Sequence, residues 1–242
     1  MTVAVLLTWL GDSSKLPACV DALKKNAEHE LVLVDGNKHP ELSESACLKR
    51  AMNLTDAEIL FFTQIDTLVP PDWISRHLRW HEKYDLVSGV RLQLDKIGKG
   101  WNPILPHSPQ FTQRPGLGIT GANLSVKRSV IEKIGWPSIP RTWDVDLGFR
   151  AIKANIPFVI DPSIPAYHDH PLHSRTESFR KSFQYTRGEL QILKQHYGTI
   201  FRHDRGRIHL SFEALLKDRY TIDRIVYRAG QLGGIFASWA FQ

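Results

Sequence analysis

Along the first 170 residues, short apolar runs alternate with stretches whose apolar residues recur every three to four positions. The first class predicts buried strands and the second amphipathic helices. Strands are expected over residues 3–7, 30–35 (ELVLVD), 58–62 (EILFF) and 85–90. Helices are expected over 16–25, 43–54 and 71–83, the last opened by prolines. This order predicts a mostly parallel, Rossmann-like sheet with helices on both faces. In such sheets ligands bind beyond the carboxyl ends of the strands. Those ends carry Thr8, the Asp35–Gly36–Asn37 turn and the Gln64–Ile65–Asp66 turn.

Residues 93–117 break the pattern, being rich in Gly and Pro and without a period. A loop of that length is either functional or disordered. Beyond it, strands are expected over 119–126 and 157–160, and helices over 129–134 and 145–154. From Ser174 the pattern turns helical. Ser174 and Glu177 have capping-box spacing. Phe179, Phe183, Leu190, Leu193 and Tyr197 follow one helical face, with Arg180, Lys181, Arg187 and Lys194 largely off it. Further helices are expected over 210–217 and 223–239. The expected division is an α/β domain over 1–170 and a helical C-terminal extension over 171–242 packed on it.

Composition narrows the class. The 242 residues are 42% hydrophobic and 23% charged, which excludes a disordered, collagenous or disulfide-stapled chain. Only Cys19 and Cys47 are present, too few for a paired-cysteine metal site. The opening MTVAVLLTWL lacks the basic region and cleavage site of a signal peptide, and no apolar run is long enough to span a bilayer. The expected location is the cytoplasm, or the cytosolic face of a membrane. Residues 171–242 hold 12 Lys and Arg against 6 Asp and Glu, which equals the whole net charge of +6. A tail of that sign suits an anionic partner, or is simply a solvated helix face.

Each polar cluster has a structural reading beside a functional one. Asp66 suits a turn as well as a hard divalent cation. Asp144 and Asp146 suit the start of a helix, and one of them suits a general base in a crevice. His168 and His170 are spaced so that both point one way in an extended segment, and neutral imidazole binds metals. Gly121, Ala122 and Asn123 suit a tight turn or a close backbone approach to a ligand. No Gly-x-Gly-x-x-Gly follows the first strand, which argues against a dinucleotide-binding domain. No RNP-like or zinc-finger pattern occurs, so no nucleic-acid partner is expected.

Taken in order, four segments resemble the family 2 glycosyltransferases, inverting enzymes of the GT-A fold. They are ELVLVDGN, FFTQIDTLVPPDWI, GANLSVKRSVIEKIGW and TWDVDLGFR, with YHDH downstream. The resemblance covers residues 3 to about 170. It implies a nucleoside-diphosphate sugar as donor, a glycan or lipid-linked acceptor, and a divalent cation, Mn2+ or Mg2+. It implies Asp144 as the catalytic base and Asp66 with His168 as metal ligands. It implies a donor site formed by Thr8, Asp35, Asn37, Gln64, Ile65, Asp66, Gly121, Ala122, Asn123 and Trp143. The long loop is then expected to close over the donor, and the basic helices to contact a membrane peripherally.

The chain departs from the family pattern twice. Gln64 stands where the first Asp of Asp-x-Asp lies, and glutamine is a poor metal ligand. Trp143 stands where a Glu precedes the base, which removes a charge and offers a face for a sugar. Two alternatives stay open: an inactive GT-A domain that binds sugar nucleotide, and a nucleotidyltransferase of similar fold.

Overall fold

A computed structural model describes residues 1–93, 119–140 and 142–169, and beyond these residues 179–180, 183–185, 188, 191–192 and 195–196. The chain divides into two units, Met1–His170 and Pro171–Gln242.

In the first unit the strands are β1 (Val3–Trp9), β2 (Glu30–Asp35), β3 (Ile59–Gln64), β4 (Thr67–Leu68), β5 (Leu86–Gln93), β6 (Leu124–Lys127) and β7 (Phe158–His168). The helices are α1 (Leu16–Leu23), α2 (Glu44–Met52), α3 (Trp73–His81), α4 (Arg128–Ile134) and α5 (Trp143–Lys153). The seven strands form one sheet in the order β2-β1-β3-β6-β5-β7-β4. β1 pairs in parallel with β2 and β3, and β5 with β7. β6 is antiparallel to both β3 and β5, and β4 is antiparallel to β7. All strands but β4 and β6 therefore run one way, as the sequence pattern predicts.

Strand alternation explains the two-sided core. Ala4 and Leu6 of β1, with Leu60 and Phe62 of β3, pack against Leu48 of α2, Val130 of α4 and Leu147 of α5. Val3, Val5 and Leu7, with Ile59 and Phe61, pack against Leu23 of α1 and Trp73 of α3. Side chains on a strand alternate between faces, so both faces of β1 must be apolar. Burying one such Phe contributes roughly 1.5–3 kcal/mol.

Local chemistry sets several boundaries. Ser43 caps α2 by accepting from the Ala46 N–H, and Asp35 accepts from the Asn37 N–H where β2 ends. Gly135 ends α4 at φ +75, a conformation that favours glycine.

Three differences from the sequence expectations have physical causes. Residues 119–123 form a turn, and the strand begins only at Leu124. β7 does not stop at Ile160 but runs through Pro162 and Pro165 to His168. Its pairing with β5 is irregular between Ser88 and Val90, which is where prolines are tolerated in a sheet. β4, two residues long, is too short to show any period.

The loop expected over 93–117 lies outside the described residues apart from Gln93, the last residue of β5. Most of the predicted tail helices lie outside them too, as do Lys181, Arg187, Leu190, Leu193, Lys194 and Tyr197. Described helical positions in the second unit include Phe179 and Arg180, both exposed, and half-buried Phe183. No helix among the described residues is long and apolar enough to cross a membrane.

Candidate active site

The carboxyl ends of β1, β2 and β3 form one rim of the sheet. Thr8 lies in register between Gln64 and Val34, and Trp9 lies beside Asp35. β6 runs antiparallel, so its start rather than its end meets this rim. Phe62 pairs with Leu124, which brings the Gly121–Asn123 turn beside the Gln64 end of β3. Residues far apart in sequence thus gather at three corners.

At the first corner, Asp35 caps the turn after β2, and Asn37 ties down the loop after β1. The Asn37 carboxamide accepts from the Gly11 N–H at 2.6 Å and donates to the Gly11 carbonyl at 2.9 Å. A cleft of about 350 Å³ opens here, lined among others by Trp9, Leu33, Asp35, Lys38, Arg50 and Leu54.

The second corner holds Asp66 and His168. Thr67 pairs with His168 across β4 and β7, and the Asp169 N–H donates to the Asp66 carbonyl at 2.7 Å. This pairing sets His168 Nε2 3.2 Å from Asp66 Oδ2. His168 is buried and Asp66 half-buried. Lys15, on the loop after β1, pairs with the Asp169 carboxylate at 2.7 Å. One carboxylate and one imidazole match the hard-oxygen and nitrogen donors that a divalent cation accepts when substrate phosphates complete its shell. No cluster of three such side chains occurs among the described residues. His170 lies outside them.

The third corner is built around α5. Asp144 is half-buried in its first turn; Oδ2 accepts from the Gly121 N–H and Oδ1 from the Val145 N–H, both at 2.9 Å. Burial pushes its carboxyl above the ordinary carboxylate range, against the pull of the two N–H groups and the Arg91 guanidinium. Asp146 is fully buried and pairs with Arg150 at 3.1 Å, which fixes the helix start. The two aspartates therefore have separate jobs. Glu44, at the first position of α2, reaches this corner as well. Its Oε1 lies 3.3 Å from Gln64 Nε2 and 3.5 Å from Trp143 Nε1.

Three expected donor-site residues, Asn123, Ala122 and Trp143, are buried in the core, and Ile65 is half-buried beside it. Asn123 is fully buried and donates from Nδ2 to the carbonyls of Val90 (2.9 Å) and Ile164 (2.8 Å). Its Oδ1 accepts from Trp73 Nε1 at 2.7 Å and meets His77 Nε2 at 3.0 Å. An amide with every hydrogen-bonding position engaged has none left for a ligand. Ala122 is buried, its carbonyl accepting from Thr63 Oγ1 at 3.2 Å. Ile65 packs on the α1/α3 side of the core. Trp143 is 3% exposed, stacked on Trp136 at 5.2 Å and tilted against Phe62 at 5.4 Å, so it offers no open face to a sugar. A Cβ at position 121 would overlap the Trp143 indole, so Gly121 permits the approach that lets its N–H reach Asp144.

Glu44, Arg91 and Lys15 carry no motif in the sequence, and Asp169 enters only as the residue between the two histidines of YHDH. Glu44 looks like an ordinary acidic helix start. Arg91 follows Val90 on a strand that only the sheet order brings to Asp144.

No protein-family model matches the sequence, and no curated protein matches it. Solved structures do match. The mannosyltransferase PcManGT from Pyrobaculum calidifontis, in complex with GDP-Man and Mn2+, superposes with a TM-score of 0.67 at 14% identity, over 98% of this chain and 86% of that one. S. aureus TarS in complex with UDP-GlcNAc gives 0.57 at 11% identity, over 98% and 81%. Glucosyl-3-phosphoglycerate synthase from Mycobacterium tuberculosis, in complex with phosphoglyceric acid, gives 0.59 at 12%, over 81% and 80%. The helix-flanked seven-stranded sheet described above is therefore the GT-A fold of these glycosyltransferases.

Proposed function

We propose that the protein is an inverting glycosyltransferase that moves a sugar from a nucleoside-diphosphate sugar to a hydroxyl of a glycan or lipid-linked acceptor. The observation that carries this reading is Asp144. It is a half-buried carboxylate with a raised pKa, held by two backbone N–H groups at the carboxyl rim of a GT-A sheet. Solved neighbours of the same fold hold GDP-Man or UDP-GlcNAc.

In this reading the nucleoside lies along the rim near Asp35, whose carboxylate accepts from the base. The acceptor oxygen attacks the anomeric carbon from the face opposite the diphosphate. The new C–O bond forms as the bond to the diphosphate breaks, and the acceptor proton passes to Asp144. The raised pKa makes that carboxylate a stronger base, and such catalysis is worth roughly 10²–10⁴-fold. Asp66 and His168 would hold a divalent cation, which supplies positive charge to the departing diphosphate. The basic residues of 171–242 favour an acceptor on an anionic membrane surface, each contributing about 1 kcal/mol near it.

The test is a transfer and donor-hydrolysis assay across UDP-, GDP- and dTDP-sugars with wild type and Asp144→Asn. Turnover in the wild type and its loss in the variant support the reading. Equal turnover in both removes Asp144 as the base.

A further inference from the structure

Glu44 belongs to no segment of the family resemblance, yet it faces both positions at which the chain departs from the family pattern. One oxygen of its carboxylate meets an N–H of Gln64 at 3.3 Å and the indole N–H of Trp143 at 3.5 Å. Ser43 caps α2 and Glu44 follows it, so a folded helix start, rather than a loop, delivers the carboxylate. The Trp143 ring packs in one cluster with Trp136 and Phe62, and Gln64 is held by the β1 pairing at Thr8.

Two consequences follow from chemistry. An amide can turn only its NH2 toward a carboxylate, so Glu44 sets the orientation of Gln64 and leaves its Oε1 as the free acceptor. Among the described residues no group donates to that oxygen, whereas Nε2 is engaged. Moreover, a carboxylate at position 64 or 143 would stand against Glu44, and like charges that close cannot both ionise freely.

We propose that Glu44 is a positioning residue of the donor site: it fixes Gln64 with the amide oxygen directed at hydroxyl groups of a sugar nucleotide, and its charge dictates a neutral donor at position 64. The inference rests on the nucleotide-sugar reading given above.

The experiment is calorimetric titration of UDP and GDP in manganese into the full chain, for wild type, Glu44→Leu, Glu44→Gln, Gln64→Asp and Glu44→Gln/Gln64→Asp. Thermal melts establish that each is folded. Glu44→Leu should weaken binding about tenfold, the scale of losing a hydrogen bond to a charged group. Glu44→Gln keeps an acceptor oxygen and should recover most of that loss.

The decisive readout is the coupling between the two positions. Glu44→Gln should weaken the wild type slightly but strengthen Gln64→Asp by about tenfold, because it removes the like charge. A residue that merely supports the helix would show no coupling between the two positions. If Glu44→Gln has the same effect in both backgrounds, the inference is overturned while the donor reading stands. If the wild type binds neither UDP nor GDP, the donor reading itself fails, and the inference with it.

Discussion

Two amide side chains stand at the same rim of the sheet and do opposite things. Asn123 is fully buried, with both amide hydrogens and its oxygen engaged by Val90, Ile164, Trp73 and His77. Gln64 is half-buried, with its amide nitrogen on Glu44. Both sit in segments that resemble a donor site, and both are polar residues at a turn. What separates them is satisfaction: a saturated, dry amide holds the scaffold, and an amide with an acceptor to spare can meet a ligand. The same contrast separates Asp146, buried on Arg150, from Asp144, whose pKa is raised at the rim.

Substitutions on the two sides of that contrast should fail in different ways. The largest effect is expected at Asp144. Asp144→Asn should lower transfer by at least about 10²–10³-fold while the melting temperature and nucleoside diphosphate affinity stay close to wild type. A large loss of stability in that variant would move Asp144 to the scaffold side.

Asn123→Ala should do the reverse. It leaves the Trp73 N–H and the Val90 and Ile164 carbonyls without partners in the core, at a cost of about 3–4 kcal/mol. Chemical denaturation measures this directly. A variant of wild-type stability with weakened donor binding would put Asn123 back in the site.

The scaffold corner should also be the acid-sensitive one. Burial pushes His77 down to about 3 and His81 to about 4. His77 Nδ1 and His81 Nε2 share the Ser125 hydroxyl, at 2.8 and 2.7 Å. Asp161 favours protonation of His77, as Asp85 does of His81, while Lys127 opposes that of His81. Both imidazoles are therefore neutral when folded and take up protons on unfolding below pH 6.5. The stability they provide is complete above that pH and is lost as pH falls from 6.5 toward 4. At pH 5 the loss is about 2 kcal/mol per histidine. Denaturation curves from pH 7.5 to 5 check this, and a flat profile would mean that the histidines are not dry.

The smallest effect is expected in the second unit. Replacing Arg180, Lys181, Arg187 and Lys194 with Glu should abolish binding to anionic liposomes at low salt. Transfer to a small soluble acceptor should be unchanged. Wild-type binding should fade as salt shortens the Debye length to about 10 Å at 0.1 M. Cosedimentation reads both outcomes, and wild-type indifference to anionic lipid leaves the basic residues as a solvated face.

Much of the scaffold was legible because its signals are local. β1, β2 and β3 are continuous apolar runs, and their order with the intervening helices carries the sheet architecture. Strand direction is not local, so nothing in LSVK showed that β6 would run backwards and bring Gly121 to the rim. Pro162 and Pro165 made β7 look short, although its irregular pairing with β5 accommodates them.

The site divides the same way. Asp35, Asp66, Asp144 and His168 were visible as motif positions, and the fold places Asp66 beside His168 and Asp144 on Gly121. Asn123 and Ala122 matched a motif equally well but are buried, because a motif records a residue type and not its partners. Glu44 was invisible for the converse reason, since a Glu after a capping Ser is what any helix start favours.

The central claim is that the rim binds a nucleoside diphosphate with a cation held at Asp66 and His168. The direct measurement is the thermal shift of wild type and Asp66→Ala with UDP and GDP, each in manganese and in chelator. The account predicts clear stabilisation of the wild type by at least one of them in manganese. At 100 times the dissociation constant it is worth about 2.7 kcal/mol. That stabilisation should be largely lost in chelator and in Asp66→Ala. A shift of equal size in manganese and chelator would contradict the metal, and no shift with any nucleoside diphosphate would contradict the site.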